Sequence, residues 1–190
     1  MKKKSCVVIP CYKVRKKILS VLKNKNLNTI DKIVIVDDYC PENTGIFLKK
    51  LKLSKKYKII FHKKNQGVGG ATITGFKYAL KNKYKIIIKV DGDDQHDLSI
   101  LPIIKNKIIK NNFDFCKGYR DLSFKNFKRL NMPFLRFFGA KSLTFLTKLN
   151  SGNWQIKDPC HGVLAFNSIF LNKFKLNEIK KNYFFEQDII

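Results

Sequence analysis

Ile86-Ile87-Ile88-Lys89-Val90-Asp91-Gly92-Asp93-Asp94-Gln95 runs from a short, mostly β-branched apolar segment straight into acid. The apolar part predicts a buried strand. Asp91, Asp93 and Asp94 crowd three carboxylates into one turn. That is electrostatically unfavourable unless a cation or a hydrogen-bond network sits among them. Oxygen ligands suit a hard divalent ion, Mg²⁺ or Mn²⁺. Gly92 permits a tight turn, so Asp91 and Asp93 can face one point. Taken alone, Asp-x-Asp is also what a solvated turn looks like. Whether other segments converge on it decides the matter, because ligands of open α/β sheets gather beyond the carboxyl ends of strands.

Working outward, the same grammar recurs. Cys6-Val7-Val8-Ile9 predicts a buried strand closed by Pro10, and helical spacing follows through Val14, Ile18, Val21 and Leu22. Ile33-Val34-Ile35-Val36 is a second strand that also ends in acid, at Asp37-Asp38. A short helix around Ile46–Leu51 and a strand over Tyr57–Phe61 come next. Asn65-Gln66-Gly67-Val68-Gly69-Gly70-Ala71 is a glycine-rich entry to a helix. It follows the third strand and lacks Gly-x-Gly-x-x-Gly spacing, so it is neither a dinucleotide fingerprint nor a P-loop. Beyond the acidic turn, a helix is expected over 99–110, capped by Ser99, with Ile100, Ile103, Ile104, Ile108 and Ile109 inward. Strands are expected at Phe113–Cys116 and Val163–Phe166, with a long amphipathic helix over 134–149 between them. Alternating strands and helices predict an α/β fold: a mainly parallel central sheet with helices on both faces.

Composition narrows the classes. The chain has 190 residues and is 44% hydrophobic, enough for one sizeable core. No apolar run reaches the roughly 18 residues needed to span a bilayer. The five cysteines are scattered without a Cys-x-x-Cys pair, which argues against a disulfide framework or zinc site and fits a reducing cytoplasm. The formal net charge of +25 comes mostly from dispersed lysines. Without an arginine-rich stripe interleaved with aromatics, nucleic acid is not an expected partner, although an anionic membrane surface is compatible.

Three strand ends therefore meet on one rim: Pro10-Cys11-Tyr12, Asp37-Asp38 and Asp91-Gly92-Asp93-Asp94. Such a rim can hold a base and ribose through Asp37 or Asp38, and a metal-bound diphosphate through Asp91 and Asp93. At this point the ordered motifs resemble the family 2 glycosyltransferases of the GT-A fold. The matching residues are Val7–Tyr12, Val34–Asp38, Asn65-x-Gly67-x-Gly69-Gly70-Ala71 and Asp91-Gly92-Asp93-Asp94-Gln95-His96. Gly118-x-Arg120, Asp158-x-x-His161-Gly162 and Phe185-Glu186-x-Asp188 resemble the polyprenyl-phosphate, dolichol-phosphate mannosyltransferase-like branch.

The resemblance implies a metal-dependent inverting glycosyltransferase that moves a sugar from a UDP- or GDP-linked donor. The expected acceptor is a polyprenyl phosphate at the cytoplasmic membrane face. A saccharide or protein acceptor is the alternative enzyme reading, and a non-catalytic basic binding module the alternative class. Pro10, Tyr12, Asp37, Asp38 and the Asp91-Gly92-Asp93 turn would hold the nucleotide sugar. Asp91, Asp93 and Gln95 would hold Mg²⁺ or Mn²⁺, leaving Asp94 the most dispensable of the three aspartates. Arg120 and Arg136 would grip phosphates, and Glu186 and Asp188 would be acceptor-side carboxylates. Trp154, by its residue type alone, is an acceptor-side candidate that either stacks on a sugar or anchors its loop. Residues 1–98 are expected to form the nucleotide- and metal-binding half of a single domain, and 99–190 its acceptor-side half. Two departures from the family pattern stand out: Lys13-Val14-Arg15 where acidic residues are common, and Tyr39-Cys40-Pro41 after Asp38. Relatives usually continue past the Phe-Glu-x-Asp segment, often into membrane helices, whereas this sequence stops there, as either a fragment or a short form would.

Overall fold

The computed structural model describes residues 3–119, 133–159, 161–181 and 185–189, without the side chains of 136, 187 and 188. Six strands form one sheet: β1 (Ser5–Cys11), β2 (Lys32–Asp37), β3 (Tyr57–Phe61), β4 (Ile86–Lys89), β5 (Phe115–Lys117) and β6 (Leu164–Asn167). Their order is β3-β2-β1-β4-β6-β5. The first four pair in parallel, whereas β6 runs antiparallel to both β4 and β5. The mainly parallel α/β sheet expected from strand–helix alternation is present, with one reversed strand that alternation does not announce.

Seven α-helices accompany the sheet among the described residues: α1 (Ile18–Lys23), α2 (Thr44–Lys50), α3 (Gly67–Lys81), α4 (Ile100–Lys110), α5 (Phe134–Ser151), α6 (Ser168–Leu171) and α7 (Phe185–Asp188). Two apolar clusters form, one on each sheet face. Val7, Ile9, Ile86, Ile88 and Val90 join Leu101, Ile104 and Ile108 of α4 in the first. Cys6, Val8, Val34 and Ile87 join Phe76 of α3 and Phe185 of α7 in the second. Because strand side chains alternate, the β4 run serves both clusters, which is why a near-continuous apolar segment was needed there. Each fully buried Ile stabilises the fold by roughly 1.5–3 kcal/mol, so the strand holds the acidic turn rigidly. Gly75 lets α3 sit directly on β1: a Cβ there would overlap Val8.

Four local expectations change. β1 does not stop at Pro10; it runs to Cys11, with Pro10 opposite Val36. β4 has already ended at Lys89, so Pro10 has strand neighbours on one side, the edge-like condition proline accepts. Ser99 does not cap α4. Its N–H and hydroxyl instead donate to Asp97 at 2.9 and 2.8 Å, and Pro102 sits in the first turn, where no N–H is missed. The buried stripe of α4 is Leu101, Ile104 and Ile108, leaving Ile103 56% exposed. The expected amphipathic helix is α5, but most of its large apolar side chains face outward.

Candidate active site

The rim forms where β1, β2 and β4 end. Asp38 N–H donates to Cys11 C=O at 3.0 Å, carrying the β1–β2 ladder one step past both strands. This places Tyr12 beside Asp38. A cavity of about 670 Å³ opens there, a size usual for small-molecule sites. Pro10, Tyr12, Asp38, Lys89, Asp91, Gly92, Asp93, Gln95 and Glu186 all line it.

The paired aspartates after β2 have separate positions. Asp37 is 4% exposed and accepts N–H bonds from Cys40 at 2.8 Å and from Gly45 at the start of α2. It organises the β2–α2 turn and is not among the residues lining the cavity. The nucleotide-contact role expected of Asp37 therefore lacks geometric support: both of its oxygens serve the backbone. Asp38 does line the cavity. Its Oδ1 accepts from Gln66 N–H at 2.8 Å and pairs with His62 Nδ1 at 2.7 Å, and His62 Nε2 pairs with Thr74 Oγ1 at 2.8 Å. The glycine-rich entry to α3 is thus tied to the rim through Asp38.

At the β4 turn the carboxylates meet cations. Lys89 is 1% exposed, and its Nζ donates to Asp91 Oδ1 at 2.7 Å and to Glu186 Oε1 at 2.6 Å. Asp91 Oδ2 pairs with His96 Nε2 at 2.8 Å. Burial opposes the charge on Lys89, but Asp91 and Glu186 outweigh it and raise its pKa above the usual lysine value. Burial likewise pushes the Asp91 carboxyl up, while Lys89 and His96 more than reverse this and bring it down to about 2. Glu186 arrives on α7, which Phe185 anchors, buried beside Phe76 at a ring separation of 6.2 Å.

The reversed strand β6 completes the rim by bringing its start, rather than its end, to this edge. A Cβ on Gly162 would overlap Asp91 Oδ2 and lie 2.8 Å from His96 Nε2. Only glycine allows the backbone to pass so close. His161 is buried and stacks at 4.7 Å on His96.

Asp93 is half-buried, with Oδ1 accepting from Gln95 N–H at 3.1 Å. Asp94 is exposed and takes a positive φ of 59°. Two carboxylates and one amide on a single turn form an oxygen donor set suited to Mg²⁺ or Mn²⁺. Among the described residues no three His, Cys, Asp or Glu side chains are gathered as a ready cation cage. Magnesium is commonly held by one or two carboxylates with substrate phosphates and water completing the shell, so the donor set fits.

The other expected site residues separate. Glu186 reaches the cavity. Trp154 is 61% exposed and is not among the lining residues. Arg120, and the side chains of Arg136 and Asp188, lie outside the described residues. Lys89 is the residue that sequence reasoning missed. The signal was present, since a lysine inside a buried strand demands a partner.

Glycosyl transferase family 2 matches the chain over residues 6–174. The chain belongs to that family. This family 2 domain is 33% identical over 174 residues to the UDP-N-acetylglucosamine–dolichyl-phosphate N-acetylglucosaminyltransferase of Methanococcus voltae, covering 85% of the chain and 68% of the relative. It is 31% identical over 182 residues to the dolichol-phosphate mannosyltransferase of Pyrococcus furiosus, covering 93% of the chain and 49% of that relative. It therefore spans 68% and 49% of the length of these two relatives. The crystal structure of Mycobacterium tuberculosis glucosyl-3-phosphoglycerate synthase, in complex with Mn²⁺, UDP and glucosyl-3-phosphoglycerate, superposes with a TM-score of 0.69 at 14% identity. That match covers 97% of the family 2 domain and 62% of the synthase, and it shows a shared fold.

Proposed function

We propose that the domain transfers a sugar from a nucleoside-diphosphate sugar to a polyprenyl or dolichyl phosphate, with inversion at the anomeric carbon. The observation that carries this reading is that Tyr12, Asp38, Asp91, Asp93, Gln95 and Glu186 line one and the same cavity. Two relatives named for dolichyl-phosphate acceptors support the choice of acceptor.

Tyr12 offers a half-exposed ring on which a base can stack, and Asp38 offers a carboxylate to base or ribose. Lys13 and Lys17 line the same cavity and place positive charge near a diphosphate. Lys13 opens the Lys13-Val14-Arg15 segment that stands where acidic residues are common in the family pattern, so the site gains positive charge here. Asp91, Asp93 and Gln95 would hold Mg²⁺ or Mn²⁺, which when bound neutralises charge on the leaving diphosphate. Lys89 pairs with both Asp91 and Glu186 and fixes the two side chains relative to each other.

In the reaction the acceptor oxygen forms a bond to the anomeric carbon. The bond from that carbon to the diphosphate breaks, and its electron pair leaves on the diphosphate oxygen. A phosphate acceptor arrives ionised and requires no base. That suits a wall on which Glu186 already has one oxygen committed to Lys89.

The test is transfer of radiolabelled sugar from UDP- and GDP-sugars, with Mn²⁺, to a short-chain polyprenyl phosphate. Label moving into organic solvent is the expected result. No calorimetric binding of any such donor by folded protein would sink the reading; donor binding with label passing only into polymer would replace the acceptor with a saccharide.

A further inference from the structure

The rim leaves α5 unexplained. Phe134, Leu135, Phe138, Phe145, Leu146 and Leu149 are between 51% and 85% exposed. At about 100° per residue they fall within an arc of about 120°, one face of the helix that the exposed Ser142 alone interrupts. The opposite side packs inward through Phe137, which is fully buried, and Thr144. Phe134 and Phe138 already stack on each other, at 5.6 Å between centroids. An exposed apolar face of this extent marks an interaction surface.

Charge selects the partner. α5 contains no Asp or Glu, and Lys141 and Lys148 fall just outside the apolar arc, on its border. The chain as a whole carries +25. A second copy docking on this face would bring two strongly positive molecules together, whereas an anionic lipid surface meets both the apolar stripe and its basic border. Among the described residues no helix is long and apolar enough to cross a membrane, so the bilayer would receive α5 along its surface.

We propose that α5 is a membrane-docking helix. It lies at the headgroup–acyl boundary of an anionic bilayer, the Phe134–Leu149 face toward the acyl chains and Lys141 and Lys148 at headgroup level. The arrangement gives the catalytic cavity a fixed attachment to the surface where a lipid phosphate resides. Its functional meaning rests on the lipid-acceptor reading, but the binding itself is measured without turnover, so the two can fail separately.

The experiment is co-sedimentation of the full chain with vesicles of phosphatidylcholine containing phosphatidylglycerol, beside vesicles of phosphatidylcholine alone. The wild type is expected to bind the anionic vesicles. Leu135→Gln with Leu146→Gln keeps every charge and changes only exposed positions. It is expected to lower partitioning at least about tenfold, with circular dichroism and urea midpoint unchanged. Failure of the wild type to bind overturns the proposal. So does equal binding by the variant, which would assign the affinity to dispersed lysines. A concentration-dependent dimer that the variant abolishes, without vesicle binding, would assign the face to a second copy.

Discussion

The turns after β2 and β4 look alike in sequence, each an apolar strand running into aspartates, yet they are neutralised by different chemistry. Asp37 is satisfied by two backbone N–H groups, which are permanent parts of the fold. Asp91 is satisfied by Lys89 and His96, which are side-chain partners that an incoming cation can share or displace. The first arrangement makes a scaffold, and the second makes a site that can exchange partners. The difference shows that the donors around a carboxylate, more than the carboxylate itself, decide whether it is available to a ligand.

The sharpest way to break this comparison is Asp91→Asn. Sugar transfer is expected to fall about 10³-fold or more, with the fold intact by circular dichroism, because charge stabilisation at the diphosphate is lost. Turnover near the wild-type rate would place Asp91 alongside Asp37 as scaffold. Next in size, Lys89→Met leaves Asp91 and Glu186 facing each other without their shared cation. Urea unfolding should show a loss of about 2–3 kcal/mol, below the roughly 3–5 kcal/mol of a fully enclosed pair because both acids are partly exposed. Excess Mn²⁺ should recover part of that loss in the variant, and a metal-insensitive deficit would contradict the idea of exchangeable partners.

Asp37→Asn is the matching change on the scaffold side. It weakens two backbone bonds and should cost about 1–2 kcal/mol in stability while nucleotide-sugar affinity stays within about threefold by calorimetry. A selective loss of affinity would return Asp37 to the nucleotide site. The smallest effect is expected of Asp94→Gly. Glycine relieves the positive φ and should raise stability by less than about 1 kcal/mol, with turnover within about twofold. A large fall in turnover would make Asp94 a third functional carboxylate.

Much of the fold was legible because strand and helix periods are local. The β4 run, the glycine-rich entry to α3 and the Tyr12, Asp38 and Asp91 rim all follow from short segments and from the rule that ligands collect at strand ends. The roles of Asp37 and Lys89 were not legible, because each depends on which partners arrive from elsewhere. Asp37 finds its donors in Cys40 and Gly45, while Lys89 finds Glu186 nearly a hundred positions later. Trp154 was assigned to the acceptor side on residue type alone, and the described cavity does not include it.

The amino-acid sequence by itself determined the class of fold, the family and the acidic turn at the end of β4, because alternation, spacing and ordered motifs are properties of neighbouring residues. Only the tertiary structure decided that β6 runs backward to bring Gly162 against Asp91, that Lys89 joins Asp91 to Glu186, and that α5 turns its apolar face outward. The reason is physical. Periodicity specifies which side chains share a face, but strand direction, charge pairing and exposure depend on what packs against that face, and those neighbours come from distant parts of the chain.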